Sequence, residues 1–206
     1  MATISVIDYG MGNLRSVTKA IARVGGEPRL ITRANEVASS TAVVLPGVGA
    51  FADCMAALHS QGLVEPLRKH VAAGRLFLGI CLGYQALFDS SEEAPGVAGL
   101  GIVPGRVRRF VGGKGLKIPH MGWNRIRKAA TGCPLLEPVP DGSYVYFVHS
   151  YHCVPDEPSW IAARTEYGGP FASMVWRDRI FATQFHPEQS QKIGLSMLER
   201  FVELCG

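Results

Sequence analysis

The residues best suited to chemistry stand at the end of an apolar run. Arg75-Leu76-Phe77-Leu78 leads into Gly79-Ile80-Cys81-Leu82-Gly83, and Tyr84-Gln85-Ala86-Leu87-Phe88 continues as a helical pattern. Glycines two residues either side of Cys81 let the chain turn sharply from strand to helix, which lifts the side chain between them above a sheet. The start of a helix favours negative charge on a sulfur placed there, and the amide N–H of Leu82 would point at an oxyanion forming beside it. A cysteine so held can attack a carbonyl carbon and carry the acyl group as a thioester. The plainer alternative is a buried cysteine in a tight turn, since unpaired cysteines commonly serve as small core residues.

A sulfur nucleophile needs a base, and the base needs something to orient it. Ile180-Phe181-Ala182-Thr183-Gln184-Phe185 reads as a strand, and His186-Pro187-Glu188 follows at once. A strand-end histidine can swing over a neighbouring strand-end cysteine. A carboxylate two residues on can fix the imidazole tautomer, and Pro187 stiffens the link. A third piece, Leu45-Pro46-Gly47-Val48-Gly49, could turn the amide of Val48 or Gly49 towards the same point as a second oxyanion donor, though an ordinary strand-to-helix turn explains it equally well. Tyr9-Gly10-Met11-Gly12-Asn13 invites a phosphate-loop reading, but Arg15 stands where the third glycine belongs, and Asn13 is accounted for as a helix N-cap. His149, His152 and Cys153 lie close in sequence, yet positions 149 and 152 of a strand face opposite ways, so no metal site is expected.

These pieces require a sheet whose strands end together. Residues 3–8, 28–31, 41–45 and 75–80 read as strands, alternating with helical patterns at 14–24 and across 51–73, the first of them stopped by Gly25-Gly26. Such alternation implies right-handed crossovers and a mostly parallel sheet with helices on both faces. Beyond about residue 100 the pattern changes to short strands set off by Gly and Pro, at 102–110, 116–119, 122–127, 144–149, 160–164, 171–177 and 179–185, which predicts added antiparallel strands. A helix at about 190–204 closes the chain, with Ile193, Met197, Leu198, Phe201 and Leu204 as its core stripe. The expectation is an α/β fold in one domain, 1–206.

Composition narrows the function classes. The 206 residues, 47% hydrophobic and 18% charged, suit a globular chain and exclude disorder. No apolar run reaches the roughly 20 residues of a bilayer helix, and the first residues enter a strand pattern without a signal-peptide layout, so a cytoplasmic, membrane-free protein is expected. Cys54, Cys81, Cys133, Cys153 and Cys205 are odd in number and scattered, which predicts free thiols. A net charge of +4 is too small and too dispersed for nucleic acid. The densest basic run, Arg106, Arg108, Arg109, Lys114 and Lys117, reads as a solvated hairpin face over 106–117, or else as a docking surface for an acidic partner.

Taken together, Pro46-Gly47-Val48-Gly49, Gly79-Ile80-Cys81-Leu82-Gly83-Tyr84-Gln85 and His186-Pro187-Glu188 resemble the class I, or triad, glutamine amidotransferases. Asp8-Tyr9-Gly10-Met11-Gly12-Asn13-Leu14, Pro119-His120-Met121-Gly122-Trp123-Asn124 and Tyr146-Phe147-Val148-His149-Ser150-Tyr151 are similar to the branch that serves as glutaminase subunit of imidazole glycerol phosphate synthase, in histidine biosynthesis. The likeness spans nearly the whole chain. One departure is Tyr84, where that branch commonly has methionine.

The resemblance implies a flavodoxin-like fold and a Cys81, His186, Glu188 triad acting on glutamine without a cofactor. Leu82 and the Val48-Gly49 turn would hold the oxyanion, and Gln85, Gly47, His149, Ser150 and Tyr151 match positions around the glutamine. The implied partner is a (β/α)8-barrel cyclase in a heterodimer, with Asn13, Arg15, His120, Met121, Trp123, Asn124 and Tyr146 as interface candidates. Alternatives at this point are a glutaminase serving another ammonia-using synthase, a Cys-His-Glu peptidase of similar topology, and a scaffold subunit with a vestigial site.

Overall fold

The computed structural model describes residues 2–112 and 116–206. The first half places strands β1 (Thr3–Ile7), β2 (Glu27–Ile31), β3 (Ala42–Gly47) and β4 (Leu76–Cys81) among helices α1 (Leu14–Arg23), α2 (Ala34–Ser39), α3 (Phe51–Ser60), α4 (Val64–Ala72) and α5 (Leu82–Gln85). The second half holds β5 (Ser90–Ser91), β6 (Gly105–Arg109), β7 (His120–Arg125), β8 (Arg127–Lys128), β9 (Tyr144–His149), β10 (Tyr151–Pro155), β11 (Ile161–Glu166), β12 (Pro170–Arg177), β13 (Ile180–Thr183) and the closing helix α6 (Gln191–Glu203).

The main sheet runs in the order β2-β1-β3-β4-β13-β12-β10-β6-β5, with β11 and β8 branching from β12. Its first five strands are mutually parallel. That order is the doubly wound, flavodoxin-like one, and β13 from the far end of the chain completes it beside β4. From β12 outwards the pairing is antiparallel, apart from the short parallel β5–β6 pair. A separate two-stranded sheet joins β7 to β9.

Every residue of β3 and β4 is buried, which explains why both read as unbroken apolar runs: helices cover the two faces. The pleat divides them between two cores. Val44, Leu78 and Ile80 pack with Val17 and Ile21 of α1 and with Met197, Leu198 and Phe201 of α6. Val43, Leu45 and Phe77 pack with Phe51, Met55 and Leu58 of α3 and Leu67 of α4. The predicted stripe of α6 is thus core, and Ile193 and Leu204 lie at its margin. No described helix is long and apolar enough to cross a membrane.

Several expectations need correction. Residues 116–119 form no strand, and β6 pairs with β10 and β5, so the described residues contain no 106–117 hairpin. Lys114 lies outside the described residues. Helix α2 and strand β10 were not anticipated. The first is only six residues long, and the second has a single buried position, so neither carries a clear period.

Candidate active site

Cys81 ends β4 with φ 55° and ψ −106°, a left-handed conformation that side chains rarely adopt. Steric necessity fixes the flanking residues. A methyl group on Gly83 would fall 1.9 Å from the Leu45 carbonyl oxygen, and one on Gly79 would fall 2.9 Å from the carbonyl oxygen of Gly83. The glycines therefore let the first turn of α5 lie directly on β3 and β4. Cys81 stands opposite Gly47 in the β3–β4 ladder, so the sharp turn and the Gly47-Val48-Gly49 segment leave the sheet side by side. Gly49 takes φ +99°, which its lack of a side chain permits.

On the other side of β4, Thr183 of β13 pairs with Ile80. The chain then passes through Gln184 and Phe185 to His186. The His186 side chain is 3% exposed and Glu188 1%, with Nδ1 2.8 Å from the carboxylate. Two bonds hold this segment to β9: His186 N–H donates to the Tyr146 carbonyl at 3.0 Å, and Tyr146 N–H donates to the Ser190 hydroxyl oxygen at 3.0 Å, while that hydroxyl donates to the His186 carbonyl at 2.6 Å. Nε2 of His186 is buried without a well-formed hydrogen bond. Burial opposes charge on this ring, but the nearby Cys81 sulfur and the Glu188 carboxylate outweigh it and push its pKa up to about 10. The Cys81 sulfur lies 3.8 Å from the Gln184 Nε2 donor and 4.0 Å from the Val148 carbonyl.

Cys81 and His186 open into one cavity of about 320 Å³. Of the residues singled out in the sequence, Val48, Gly49, Leu82, Gln85, His149, Ser150 and Tyr151 also line it, whereas Gly47 and Glu188 stand behind its wall. Glu93, Pro119 and Val148 complete the lining. Glu93 was missed because it sits in a turn after β5 with no motif around it; its carboxylate accepts the Phe51 N–H at the start of α3, at 2.9 Å. Gln184 was missed as well, since within a strand-like run it looks like any core position. Among the described residues no three His, Cys, Asp or Glu side chains gather as a metal site would need.

The interface candidates divide by the pleat of the two-stranded sheet. Met121 pairs with Val148 and Trp123 with Tyr146; Met121, 63% exposed, and Trp123, 46% exposed, face outwards, with Tyr146 half-buried beside Trp123. His120, at 3% exposure, faces inwards, and Asn124 bonds on that same side to His120 and to the Glu166 carbonyl. Neither belongs to the exposed face, because alternate strand residues point opposite ways. Asn13 caps α1 as expected, its side chain accepting from Ser16 N–H, and Arg15 is exposed on the first turn. In the basic run, Arg108 pairs with Glu92 at 3.2 Å.

The profile of the family Glutamine amidotransferase class-I matches residues 5–204. The imidazole glycerol phosphate synthase subunit HisH of Syntrophotalea carbinolica is 51% identical, covering 98% of this chain and 100% of the relative. The HisH subunits of Nitrosococcus oceani and Geobacter sulfurreducens are 50% and 48% identical over 99% or more of both chains. Among solved structures, PurLQS from Thermotoga maritima covers all of this chain with a TM-score of 0.78, and a glutamine amidotransferase covers 98% with 0.76; at 18% and 20% identity these show the shared fold. The chain belongs to the class-I glutamine amidotransferases and, within them, to the HisH family.

Proposed function

We propose that this chain is the glutaminase subunit of imidazole glycerol phosphate synthase and that Cys81, His186 and Glu188 carry out its chemistry. The observation that supports this best is the convergence of the three: a strained cysteine and an imidazole on one cavity, with a buried carboxylate 2.8 Å behind the imidazole. His186 Nε2 takes the thiol proton as Sγ attacks the side-chain carboxamide carbon of glutamine. The Leu82 N–H and an amide of the Val48-Gly49 turn hold the tetrahedral oxyanion. Collapse breaks the C–N bond, and His186 returns the proton to the departing nitrogen, giving ammonia and a γ-glutamyl thioester. Water, deprotonated by His186, then releases glutamate and restores the thiol. Glu188 keeps His186 in the tautomer that presents Nε2.

The cavity has room for one amino acid. Gln85, His149, Ser150 and Tyr151 line its amino-acid end, with Gly47 supporting that wall from behind, and the Glu93 carboxylate is the complement we assign to the substrate ammonium group. No cofactor is needed for any step.

Ammonia released into water would be protonated and lost to a synthase, so the reading includes a partner that receives it, a (β/α)8-barrel cyclase that closes the ring of imidazole glycerol phosphate and releases an aminoimidazole carboxamide ribotide. Lyase chemistry resides in that subunit. Met121, Trp123 and Tyr146 form the outward face we assign to it, with Asn13 and Arg15 beside them in function. A methyl on Gly49 would come 2.8 Å from the Met11 side chain, so the Asp8–Asn13 turn lies against the oxyanion turn and can transmit docking to it. The free cysteines suit a reducing cytoplasm, where we place the reaction. The test is glutamate release from glutamine by the full chain, with and without the cyclase subunit and its nucleotide ligand. Strong turnover only in the complex is expected; no turnover in either would sink the proposal.

A further inference from the structure

Behind the cavity, on the inner side of the two-stranded sheet, hydrogen bonds fixed in direction by Asn124 run through two histidines to the Tyr151 carbonyl, where a second set leading through Gln85 and Gln184 to the Cys81 sulfur meets them. The Asn124 amide cannot be flipped, because its Oδ1 accepts the Arg125 N–H at 2.7 Å while its Nδ2 donates to the Glu166 carbonyl at 3.0 Å. Nδ2 also donates to His120 Nε2 at 3.2 Å, which makes that nitrogen an acceptor. His120 must then carry its proton on Nδ1 and donate it to His149 Nε2 at 2.9 Å. His149 in turn carries its proton on Nδ1 and donates to the Tyr151 carbonyl at 2.7 Å. The same carbonyl accepts from Gln85 Nε2 at 3.3 Å, which also donates to Gln184 Oε1 at 3.2 Å. The other end of the Gln184 amide donates to Cys81 Sγ at 3.8 Å.

We propose that His120, Asn124 and Gln184 are positioning residues of the glutaminase site, holding His149 as a neutral hydrogen-bonding wall beside His186 and aiming a side-chain amide at the Cys81 sulfur. The inference rests on the function proposed above and deepens it. Its physical core is a donor count. A proton added to His120 would set an Nε2–H against the Asn124 N–H, and one added to His149 would set an Nε2–H against the His120 N–H. Either ring can be charged only by breaking the series.

Burial acts in the same direction, lowering the pKa of His120 to about 4 and of His149 to about 3. The titratable groups facing His149 are His120, His152 and His186, while Tyr167 stacks on His120 with centroids 3.9 Å apart; Phe110, Phe147 and Phe171 fill the remaining sides without charge. A cation at His149 would oppose the one that His186 must carry when it protonates the leaving nitrogen. The Gln184 amide offers a donor to the sulfur in the opposite phase, when the thiol has lost its proton.

The test follows Cys81 itself, as the rate of alkylation by iodoacetamide against pH, read by peptide mass spectrometry, together with kcat and KM for glutamine in the complex with the cyclase. His120→Phe keeps the shape and removes both bonds. His120→Asn restores a donor where Nδ1 stood. Asn124→Leu acts from the half-exposed end and remains informative if His120→Phe does not fold. We expect kcat/KM near neutral pH to fall about tenfold in His120→Phe, mainly in kcat, and the acidic limb of the profile to move to higher pH as His149 becomes able to take a proton. Asn124→Leu should move the limb the same way, and His120→Asn should restore it. Gln184→Met should slow alkylation about tenfold, consistent with loss of one hydrogen bond to a charged group. Profiles of His120→Phe and Asn124→Leu that superimpose on the parent's would overturn the proposal, as would equal losses in His120→Phe and His120→Asn that track melting temperature alone. A parent chain that does not hydrolyse glutamine overturns the parent reading, whereas an active parent with unmoved variants overturns only this one.

Discussion

At the carboxyl ends of β3 and β4 the cavity wall is backbone held by contact, with Gly83 against the Leu45 carbonyl and Cys81 strained between two glycines. Across the cavity, β7 and β9 present the opposite kind of wall, in which His120, His149 and Asn124 are held by directed hydrogen bonds among stacked rings. The first wall tolerates no added atom, while the second tolerates atoms but no change in where protons sit. A nucleophile needs a fixed position and gains it from packing, which has few alternatives at close range. A wall beside a charged imidazole needs a fixed protonation state and gains it from polarity. The outer side of the second wall is free to meet a partner, which the first, buried on both faces, is not.

The sharpest way to break this contrast is chemical. Cys81→Ala should lower glutamine hydrolysis by about 10⁴-fold or more with the fold intact, read as glutamate released by the complex, because no other group can form the thioester. Glu188→Gln keeps the packing but frees the His186 tautomer, and kcat should drop by about 10²- to 10⁴-fold at little change in melting temperature. If packing alone sustained the site, that variant would stay active.

Gly83→Ala tests the steric wall directly. The overlap with Leu45 should cost about 3 kcal/mol or more in a denaturant melt and abolish Cys81 labelling in whatever remains folded. A stable, reactive Gly83→Ala protein would contradict the contact account. Trp123→Ala probes the outer side of the polar wall, where the loss should appear as weaker binding of the cyclase by about 2 kcal/mol, with the chain's own stability nearly unchanged.

Per pH unit the smallest effect is a slope. His120 and His149 are held below their ordinary value of 6.5, at about 4 and about 3, so between those values the unfolded chain binds more protons than the folded one. Their contribution to stability is therefore complete above pH 6.5 and is lost as pH falls through the 6.5-to-3 window, by about 1.4 kcal/mol per proton per pH unit. A melt series across that range should show His120→Phe with a shallower slope than the parent; equal slopes would mean that His120 is not held neutral.

Much of this was legible in the residues. Gly79-Ile80-Cys81-Leu82-Gly83 and His186-Pro187-Glu188 are local patterns in which neighbours along the chain dictate geometry, and the apolar runs of β3 and β4 announced a sheet covered on both faces. Glu93 and Gln184 were not legible, because each owes its place to a residue far away, Glu93 to Phe51 and Gln184 to Cys81 and Gln85. His120 and Asn124 stood among the interface candidates that the resemblance implied, and the structure turns both inwards. Which side of a strand faces out depends on register, and register is set by the β7–β9 pairing.

By itself the sequence determined the turn that exposes Cys81, the order of strand and helix in the first half, and the choice of His186 and Glu188 as the base and carboxylate we propose. Those follow from short-range sterics, periodicity and the chemistry of the side chains. Only the tertiary structure decided that β13 lies against β4, which sets His186 at the cavity of Cys81, and that two histidines share a single line of protons with Asn124. Long-range pairing chooses among many contacts of similar local energy, and a hydrogen-bond direction exists only once both partners are in place.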